Sequence, residues 1–294
     1  MTTAEIHVVR AGALTTVQDL GRHGHAHLGV PRSGALDEPA HRLANRLVGN
    51  PETAATLETT LNGCALRACG TPGAAVEVVV TGAACPVTVD GRPAPWGVPF
   101  RLPAGAVLEA GPATYGLRSY VGLGGGVDAT PELGSRATDL LSGLGPDPLR
   151  EGDRLRLGDP GEPGPRATSD TAPWAAPPRE LLLPVVYGPR TDWFTSEALR
   201  TLVTGVFRVS SASNRIGLRL DGPVLERARE GELPSEGMAL GALQVPPEGR
   251  PVVFLADHPV TGGYPVIGVV PQDALAAAAQ AVPGTPVRFT PAAG

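Results

Sequence analysis

The stretch from residue 76 to residue 91 reads VEVVVTGAACPVTVDG, and its composition decides the fold class. It begins with a β-branched run at 76–80. A second run, from Val87 to Val89, leads directly into Asp90-Gly91. β-branched residues favour extended strands, and Asp-Gly is a preferred pair for a two-residue hairpin turn. The stretch therefore predicts antiparallel strands.

Further strands are predicted on both sides of this stretch. Residues 117–121 and 154–157 alternate with period two, which is typical of strands that bury one face. A strand is also predicted from Ile6 to Leu20. The 294 residues include 39 glycines and 32 prolines but only 4% aromatics, which indicates many turns and an aliphatic core. The predicted class is mainly β with a few short helices (α+β), closing into a barrel or sandwich.

Helix signals are few. A helix is predicted at 38–48, where Asp37 is a suitable N-cap and Gly49 can end the helix. A second short helix is predicted to start at Asn50-Pro51, because proline fits the first helical position. Further helices are predicted at 196–204 and 272–281.

The chain is predicted to have two β-rich parts joined by a linker. Residues 161–180 are rich in Gly, Pro, Ala and Thr, a composition typical of linkers. This places an N-terminal subdomain at 1–160 and a C-terminal subdomain at 181–294.

Charge and composition exclude several classes of function. The net charge is −5 and no basic patch is visible, so no nucleic acid is expected as a partner. All 24 basic residues are arginine, which excludes a P-loop lysine and a Schiff-base lysine. No apolar run approaches the roughly 18 residues of a membrane span. The sequence begins without a signal-peptide pattern, and its three cysteines have no metal-site spacing, so a cytoplasmic location with buried thiols is expected.

Five ordered segments carry a resemblance to a known family. They include Gln18-Asp19-Leu20-Gly21-Arg22 in the first segment and Thr261-Gly262-Gly263-Tyr264-Pro265 in the last. The segments are 10–22, 29–37 with Asn45, Asn50 and Leu57-Glu58 after it, Gly125-Gly126 followed by 134–140, 213–220, and 235–265. Together they resemble the family of biotin-dependent carboxyltransferases and 5-oxoprolinase C subunits, whose members are also similar to allophanate hydrolase subunit 2.

The resemblance implies a fold and a set of functions. It implies cyclophilin-like β-barrel subdomains and a role as the C-type component in the ATP-dependent cleavage of 5-oxoproline to L-glutamate, with ATP bound by the complex. The implied partners are a B-type component, similar to allophanate hydrolase subunit 1, and an A-type component that opens the lactam. One alternative is a urea or amide carboxyltransferase half that works with biotin on a separate carrier. Another is a regulatory antagonist that binds a kinase-inhibitor partner and has no chemistry of its own.

The first candidate site is at the end of the first predicted strand. Gln18, Asp19 and Arg22 place an amide, a carboxylate and a guanidinium close together, a combination suited to binding a substrate carboxylate or amide. The alternative is a polar network that only fixes the turn after the strand.

Two arginines four residues apart form the second candidate site. Arg215 and Arg219 share a face on either a helix or a strand and would form a cationic wall for a carboxylate, carbamate or phosphate. The alternative is a solvated face, or a salt bridge to Asp221.

The C-terminal segments contain the remaining candidates. Thr261, Gly262, Gly263 and Tyr264 form a loop whose backbone N–H groups can approach a ligand closely, with a plain β-turn as the alternative, and Ser235 can act as a cap or contact the ligand. Gln244 can pair with a ligand amide, and Asp257 is the candidate for proton handling. The predicted catalytic residues are therefore Asp257, Gln244 and Arg215, and the other candidates are predicted to bind substrate.

Two further patterns are interpreted as structural. His23, His25 and His27 alternate and can bind a metal, but an exposed strand edge is the favoured interpretation, and no metal site is predicted. Gly124-Gly125-Gly126 lacks the lysine of a phosphate loop and is interpreted as a bend.

Overall fold

The computed structural model describes residues 5–159, 172, 179–231 and 233–292. Contacts divide the chain into two units. The first unit groups residues 1–22, 37–139 and 143–176, and the second groups 23–36, 140–142 and 177–294. Most of the predicted linker at 161–180 lies outside the described residues, and the three-part division stays a prediction. No helix in the described part is both long and apolar enough to cross a membrane.

The first unit consists of two antiparallel sheets and one helix. Its elements are β1 (Glu5–Arg10), β2 (Leu14–Gln18), α1 (Glu38–Val48), β3 (Thr56–Thr60), β4 (Cys64–Cys69), β5 (Ala75–Ala84), β6 (Val87–Val89), β7 (Arg92–Ala94), β8 (Phe100–Pro103), β9 (Val107–Ala110), β10 (Tyr115–Leu123) and β11 (Arg154–Arg156). One sheet has the order β11-β1-β4-β9-β6-β7 and the other β2-β3-β10-β5-β8. Their inward faces form a core of Val, Leu and Ala side chains.

Local signals predicted α1 and the β6–β7 hairpin correctly. Asp37 accepts a hydrogen bond from Ala40 N (3.1 Å), and Gly49 ends the helix with φ 81°. Val89 pairs with Arg92 across the predicted turn. In both places the residues that cap the helix or form the turn are adjacent in sequence, so a local pattern can predict them.

Two other predictions in this unit are wrong. The single strand from Ile6 to Leu20 is two strands, because the chain turns at Gly12, where φ is 72° and an added Cβ would lie 1.8 Å from the Gly63 carbonyl oxygen. Asn50 caps no helix. Its side chain donates to Leu123 O (2.8 Å) and accepts from Gly125 N (2.9 Å). These hydrogen bonds connect Asn50 to the end of β10 and the loop beside it.

The second unit contains a closed seven-stranded barrel. Its elements are β12 (Leu181–Tyr187), α2 (Ser196–Thr204), β13 (Phe207–Val209), β14 (Gly217–Asp221), β15 (Glu236–Gly237), β16 (Ala242–Gln244), β17 (Val252–Phe254), β18 (Thr261–Gly262), β19 (Val266–Val269), α3 (Leu275–Ala279) and β20 (Pro286–Pro291). The barrel order is β12-β19-β16-β17-β14-β13-β20, closed by parallel pairing of β20 with β12. The mainly-β prediction with a closed barrel is confirmed.

We expect acid to destabilise the first unit through His41, which is fully buried on α1. Its Nε2 lies 3.1 Å from the Glu52 carbonyl oxygen and its Nδ1 lies 2.8 Å from Thr56 Oγ1, an arrangement that suits the neutral ring. Burial lowers the pKa of His41 to about 4. The unfolded chain keeps an ordinary histidine, so it binds the proton first as the pH falls from about 6.5 to about 4.

The stabilisation from neutral His41 is therefore complete above pH 6.5 and is lost on acidification towards pH 4, by about 3 kcal/mol across the whole window. The measurement is the free energy of unfolding by urea at several pH values, for the wild type and for His41→Gln. The wild-type curve should fall more steeply than that of the variant. Parallel curves would show that His41 does not contribute.

Candidate functional site

Asp19 connects two of the segments that carry the family resemblance. Its side chain is 6% exposed and follows β2. One carboxylate oxygen accepts from Ser135 Oγ (2.6 Å) and from Gly21 N (2.8 Å), and the other accepts from Arg136 N (2.6 Å). The carboxylate therefore fixes the loop at 134–139 beside the end of β2.

Gln18 and Arg22 bind the same loop. Gln18 Nε2 donates to the Thr138 carbonyl (3.0 Å) and Arg22 Nη2 to the Ala137 carbonyl (2.6 Å). The structure thus brings all three N-terminal candidates together, and most of their hydrogen bonds form the polar network that was the alternative interpretation. Among the described residues, Gln18 Oε1 and Arg22 Nη1 have no hydrogen-bond partner, although both side chains are buried. One acceptor and one donor are left, which is the complement of an amide group.

Arg215 and Asp257 form a buried ion pair in the second unit. Arg215 Nε lies 2.9 Å from Asp257 Oδ2, and Nη2 lies 3.0 Å from Oδ1. The side chains are 1% and 0% exposed. Asp257 also accepts from Ser33 Oγ (2.8 Å) and Leu140 N (3.3 Å), while Arg215 Nη2 donates to the Gly34 carbonyl (2.7 Å).

These contacts occupy Asp257 with protein donors. A carboxylate has about four lone-pair sites, and Asp257 receives four donated hydrogen bonds. The pair holds Ser33, which has φ 53°, a conformation that costs a non-glycine residue about 1–3 kcal/mol and persists where surrounding contacts impose it. Proton handling by Asp257 stays a prediction.

Arg215 and Arg219 do not lie on one face. Arg215 precedes β14 and is buried, whereas Arg219 is on β14 with its side chain exposed, so strand alternation does not relate them. Asp221, the suggested salt-bridge partner, pairs with Arg250 at 2.6 Å.

Gln244 is surrounded by several of the other C-terminal candidates. Its Nε2 donates to the Tyr264 carbonyl (3.3 Å), and a Cβ added at Gly262 would lie 2.8 Å from that nitrogen. Strands β15 and β18 pair through Glu236–Gly262 and Gly237–Thr261, with Ser235 exposed just before β15. Gly263 accepts from Leu233 N at 3.0 Å.

Charged residues beside this group were missed by the sequence reasoning. The Arg227 guanidinium lies 5.6 Å from the centre of the Tyr264 ring, a cation–π distance. Arg190 donates to Glu236 Oε2 (3.1 Å), and this hydrogen bond lowers the pKa of the Glu236 carboxyl. Glu236 lies inside a segment that carries the resemblance, which was the available signal. Arg190 and Arg227 lie outside these segments.

A buried polar cluster in the first unit was also missed. Tyr120 Oη donates to Glu58 Oε2 (2.7 Å) and accepts from Asp37 N (2.7 Å), with Arg118 Nε 3.7 Å from Glu58 Oε1. Burial raises the pKa of Tyr120 well above its ordinary value. Two signals were available, since Leu57-Glu58 belongs to the segments that carry the resemblance and Glu58 lies in β3, a strand of otherwise uncharged residues.

Two of the three cysteines are buried, and three neighbouring histidines lie outside any strand. Cys64 and Cys85 are buried, and burial raises the pKa of Cys64 to about 12, so neither is suited to be a nucleophile. His23, His25 and His27 lie in a turn and a 3₁₀ helix, so the predicted strand edge is wrong. No group of three His, Cys, Asp or Glu within the described residues is placed to hold a metal ion.

The family described as carboxyltransferase domain, subdomain A and B, matches residues 28–291. The chain belongs to this family. It is 37% identical to the C subunit of 5-oxoprolinase from Escherichia coli, over 96% of this chain and 89% of that protein. It is 33% identical to urea amidolyase of Lachancea kluyveri, over 97% of this chain but 17% of that protein.

Solved structures with the same fold belong to longer chains. The crystal structure of TTHA0988 matches with a TM-score of 0.86 and 37% identity, over 98% of this chain and 55% of that one. The urea amidolyase of K. lactis matches with a TM-score of 0.89 and 29% identity, over 100% of this chain and 19% of that one. The chain therefore spans about half of the first structure and a fifth of the second.

We expect the Arg215–Asp257 pair to act as one unit in stability. Arg215→Met leaves a buried carboxylate without its cation and should lower the free energy of unfolding by about 3–5 kcal/mol. The double variant Arg215→Met, Asp257→Asn should be clearly more stable than the sum of the two single losses predicts, because no buried charge is left unpaired. Urea unfolding of the four proteins measures this coupling, and additive losses would contradict it.

Proposed function

We propose that this chain is the C-type component of a multi-subunit enzyme that cleaves 5-oxoproline to L-glutamate with ATP. The observation that carries the proposal is the match in length with the E. coli relative, in which 96% of this chain aligns with 89% of that protein. The L. kluyveri urea amidolyase aligns over 17% of its length, so this chain corresponds to one part of that larger protein.

In this proposal the chain acts with a B-type and an A-type partner protein, and the complex binds ATP. A lactam presents one N–H donor and one carbonyl acceptor, and 5-oxoproline adds a carboxylate. Opening the ring also needs donors for the oxyanion that develops on the carbonyl oxygen. We assign that role to Gln244 and the glycine backbone beside it.

Carboxyl transfer to urea or another amide, with biotin on a separate carrier, is the second candidate. The K. lactis urea amidolyase structure favours it, because its fold matches all of this chain with a TM-score of 0.89. The two candidates share an amide substrate and differ in the source of the activated group, which is either ATP with a lactam-opening protein or carboxybiotin.

Reconstitution separates these functions. The chain is mixed with the purified A-type and B-type partners, and glutamate release from 5-oxoproline is measured with and without ATP, leaving out each protein in turn. The proposal expects release that needs both ATP and this chain. A complex that assembles and releases no glutamate contradicts it, and carboxylation of urea with a biotin carrier is then the next assay.

Gln244 provides the sharpest test of the site. Gln244→Ala should lower glutamate release by the complex at least tenfold, because one positioned donor is worth about 10²–10³ in rate where it stabilises an oxyanion. Because Gln244 is buried, the unfolding midpoint is measured in parallel, and the tenfold loss should be present under conditions where the variant is fully folded. Arg200→Gln is the control, since Arg200 forms an exposed ion pair with Glu197 on α2 and should change neither quantity. Full activity of Gln244→Ala would remove Gln244 from the site.

A further inference from the structure

Arg227 is a half-buried arginine close to Gln244, and its hydrogen bonds leave some of its donors unused. Its Nη2 donates to the Val245 carbonyl (2.6 Å) and its Nη1 to the Gly231 carbonyl (3.3 Å). A guanidinium has five N–H groups. Its Nε is buried and has no hydrogen-bond partner in the part of the chain that the structure describes. Two backbone carbonyls therefore hold the charged group in place and leave it with donors to spare.

The charge of Arg227 also differs from that of other arginines in this unit. Arg215 binds both carboxylate oxygens of Asp257 through Nε and Nη2, and Arg229 pairs with Asp192 at 2.7 Å. Among the described residues, Arg227 forms no ion pair of this kind. Because a guanidinium matches the planar geometry of a carboxylate, Arg227 is suited to bind such a group from outside the chain.

Tyr264 connects Arg227 to Gln244. The Arg227 guanidinium lies 5.6 Å from the centre of the Tyr264 ring, and the Tyr264 carbonyl accepts from Gln244 Nε2 at 3.3 Å. Val245, whose carbonyl accepts from Arg227, follows Gln244 directly in the chain. The aromatic contact and the hydrogen bond restrict the orientation of the guanidinium. The same two residues, Tyr264 and Val245, therefore hold the cation and the amide next to each other.

We propose that Arg227 binds the carboxylate of the substrate and makes the site specific for amides that carry a carboxylate. This inference rests on the proposed function, in which Gln244 donates to the oxygen of the substrate amide. In 5-oxoproline, the two ring carbons that flank the nitrogen carry the carbonyl oxygen and the carboxylate, so the two groups lie close together. Urea has no carboxylate. A cation beside Gln244 therefore favours the lactam acid over urea, and Arg227 acts on specificity without contacting the reacting atoms.

The test compares two ligands of the complex assembled with its A-type and B-type partners, without ATP so that no turnover occurs. One is 5-oxoproline, and the other is 2-pyrrolidinone, the same lactam without the carboxylate. Ligand-observed NMR titration gives the Kd of each. Arg227→Gln should raise the Kd of 5-oxoproline by about tenfold or more, the effect of losing a hydrogen bond between charged groups, and should leave that of 2-pyrrolidinone within about twofold.

Two further variants complete the comparison. Arg227→Lys keeps the charge and should retain part of the preference for 5-oxoproline. Arg229→Gln is the matched control, because Arg229 lies two residues further along the same segment and its ion pair with Asp192 is exposed, so the Kd of neither ligand should change.

The neutral ligand distinguishes specificity from a purely structural role. If Arg227 only holds the carbonyls of Gly231 and Val245, Arg227→Gln should weaken both ligands equally, and that result would overturn the inference. Unchanged binding of 5-oxoproline by this variant, or a wild-type complex that binds the two ligands equally, would also overturn it.

The inference and the proposed function fail in different ways. A complex that binds 5-oxoproline through Arg227 and releases no glutamate would refute the proposed function and leave the inference standing. Glutamate release whose KM for 5-oxoproline is the same in the wild type and in Arg227→Gln would overturn the inference and leave the proposed function standing.

Discussion

A charge buried away from water must receive its hydrogen bonds from the protein itself, and this constraint organises the polar parts of both units. Asp257 is fully buried and accepts from Arg215, Ser33 and Leu140, which come from three distant segments of the sequence. Asp19 does the same in the first unit for the loop at 134–139. Each carboxylate therefore connects segments that are distant in the sequence through its hydrogen bonds.

The same constraint changes how the candidate residues are understood. Asp257 and Arg215 have the side chains most suited to acid–base or anion chemistry, yet their groups are occupied by each other and by the backbone. Groups with remaining capacity are less conspicuous in sequence. Among the described residues of the first unit, they are the unpartnered atoms of Gln18 and Arg22. In the second unit, the Arg215–Asp257 pair would then support the segments around it, and contacts with a ligand would come from Gln244 and the glycine backbone of β18.

Two of the four described non-glycine residues with positive φ lie next to these networks. Ser33 adopts φ 53° where Asp257 holds its hydroxyl, and Leu133 adopts φ 50° in the turn held by Asp19 and Arg22. Strained conformations of non-glycine residues persist only where surrounding contacts impose them, and they cluster at functional sites. Both residues lie in or beside segments that carry the family resemblance. The positive φ angles of Ser33 and Leu133 therefore occur at loops that the resemblance also marks.

The sequence by itself determined the features that depend on neighbouring residues. The helix at 38–48, its caps at Asp37 and Gly49, and the Asp90-Gly91 hairpin follow from local hydrogen bonds and φ preferences. The mainly-β class and the family also followed, from alternation and from ordered motifs along the chain. The tertiary structure decided what depends on distant partners. The chain turns at Gly12, where φ is positive and the Gly63 carbonyl leaves no room for a side chain, and the Asn50 side chain donates to the Leu123 carbonyl in β10 instead of capping a helix. Arg215 and Arg219 are separated because only one of them meets Asp257, 42 residues along the chain. No local pattern encodes such a contact, because a buried charge takes its partner from whichever segment the fold brings within hydrogen-bond distance.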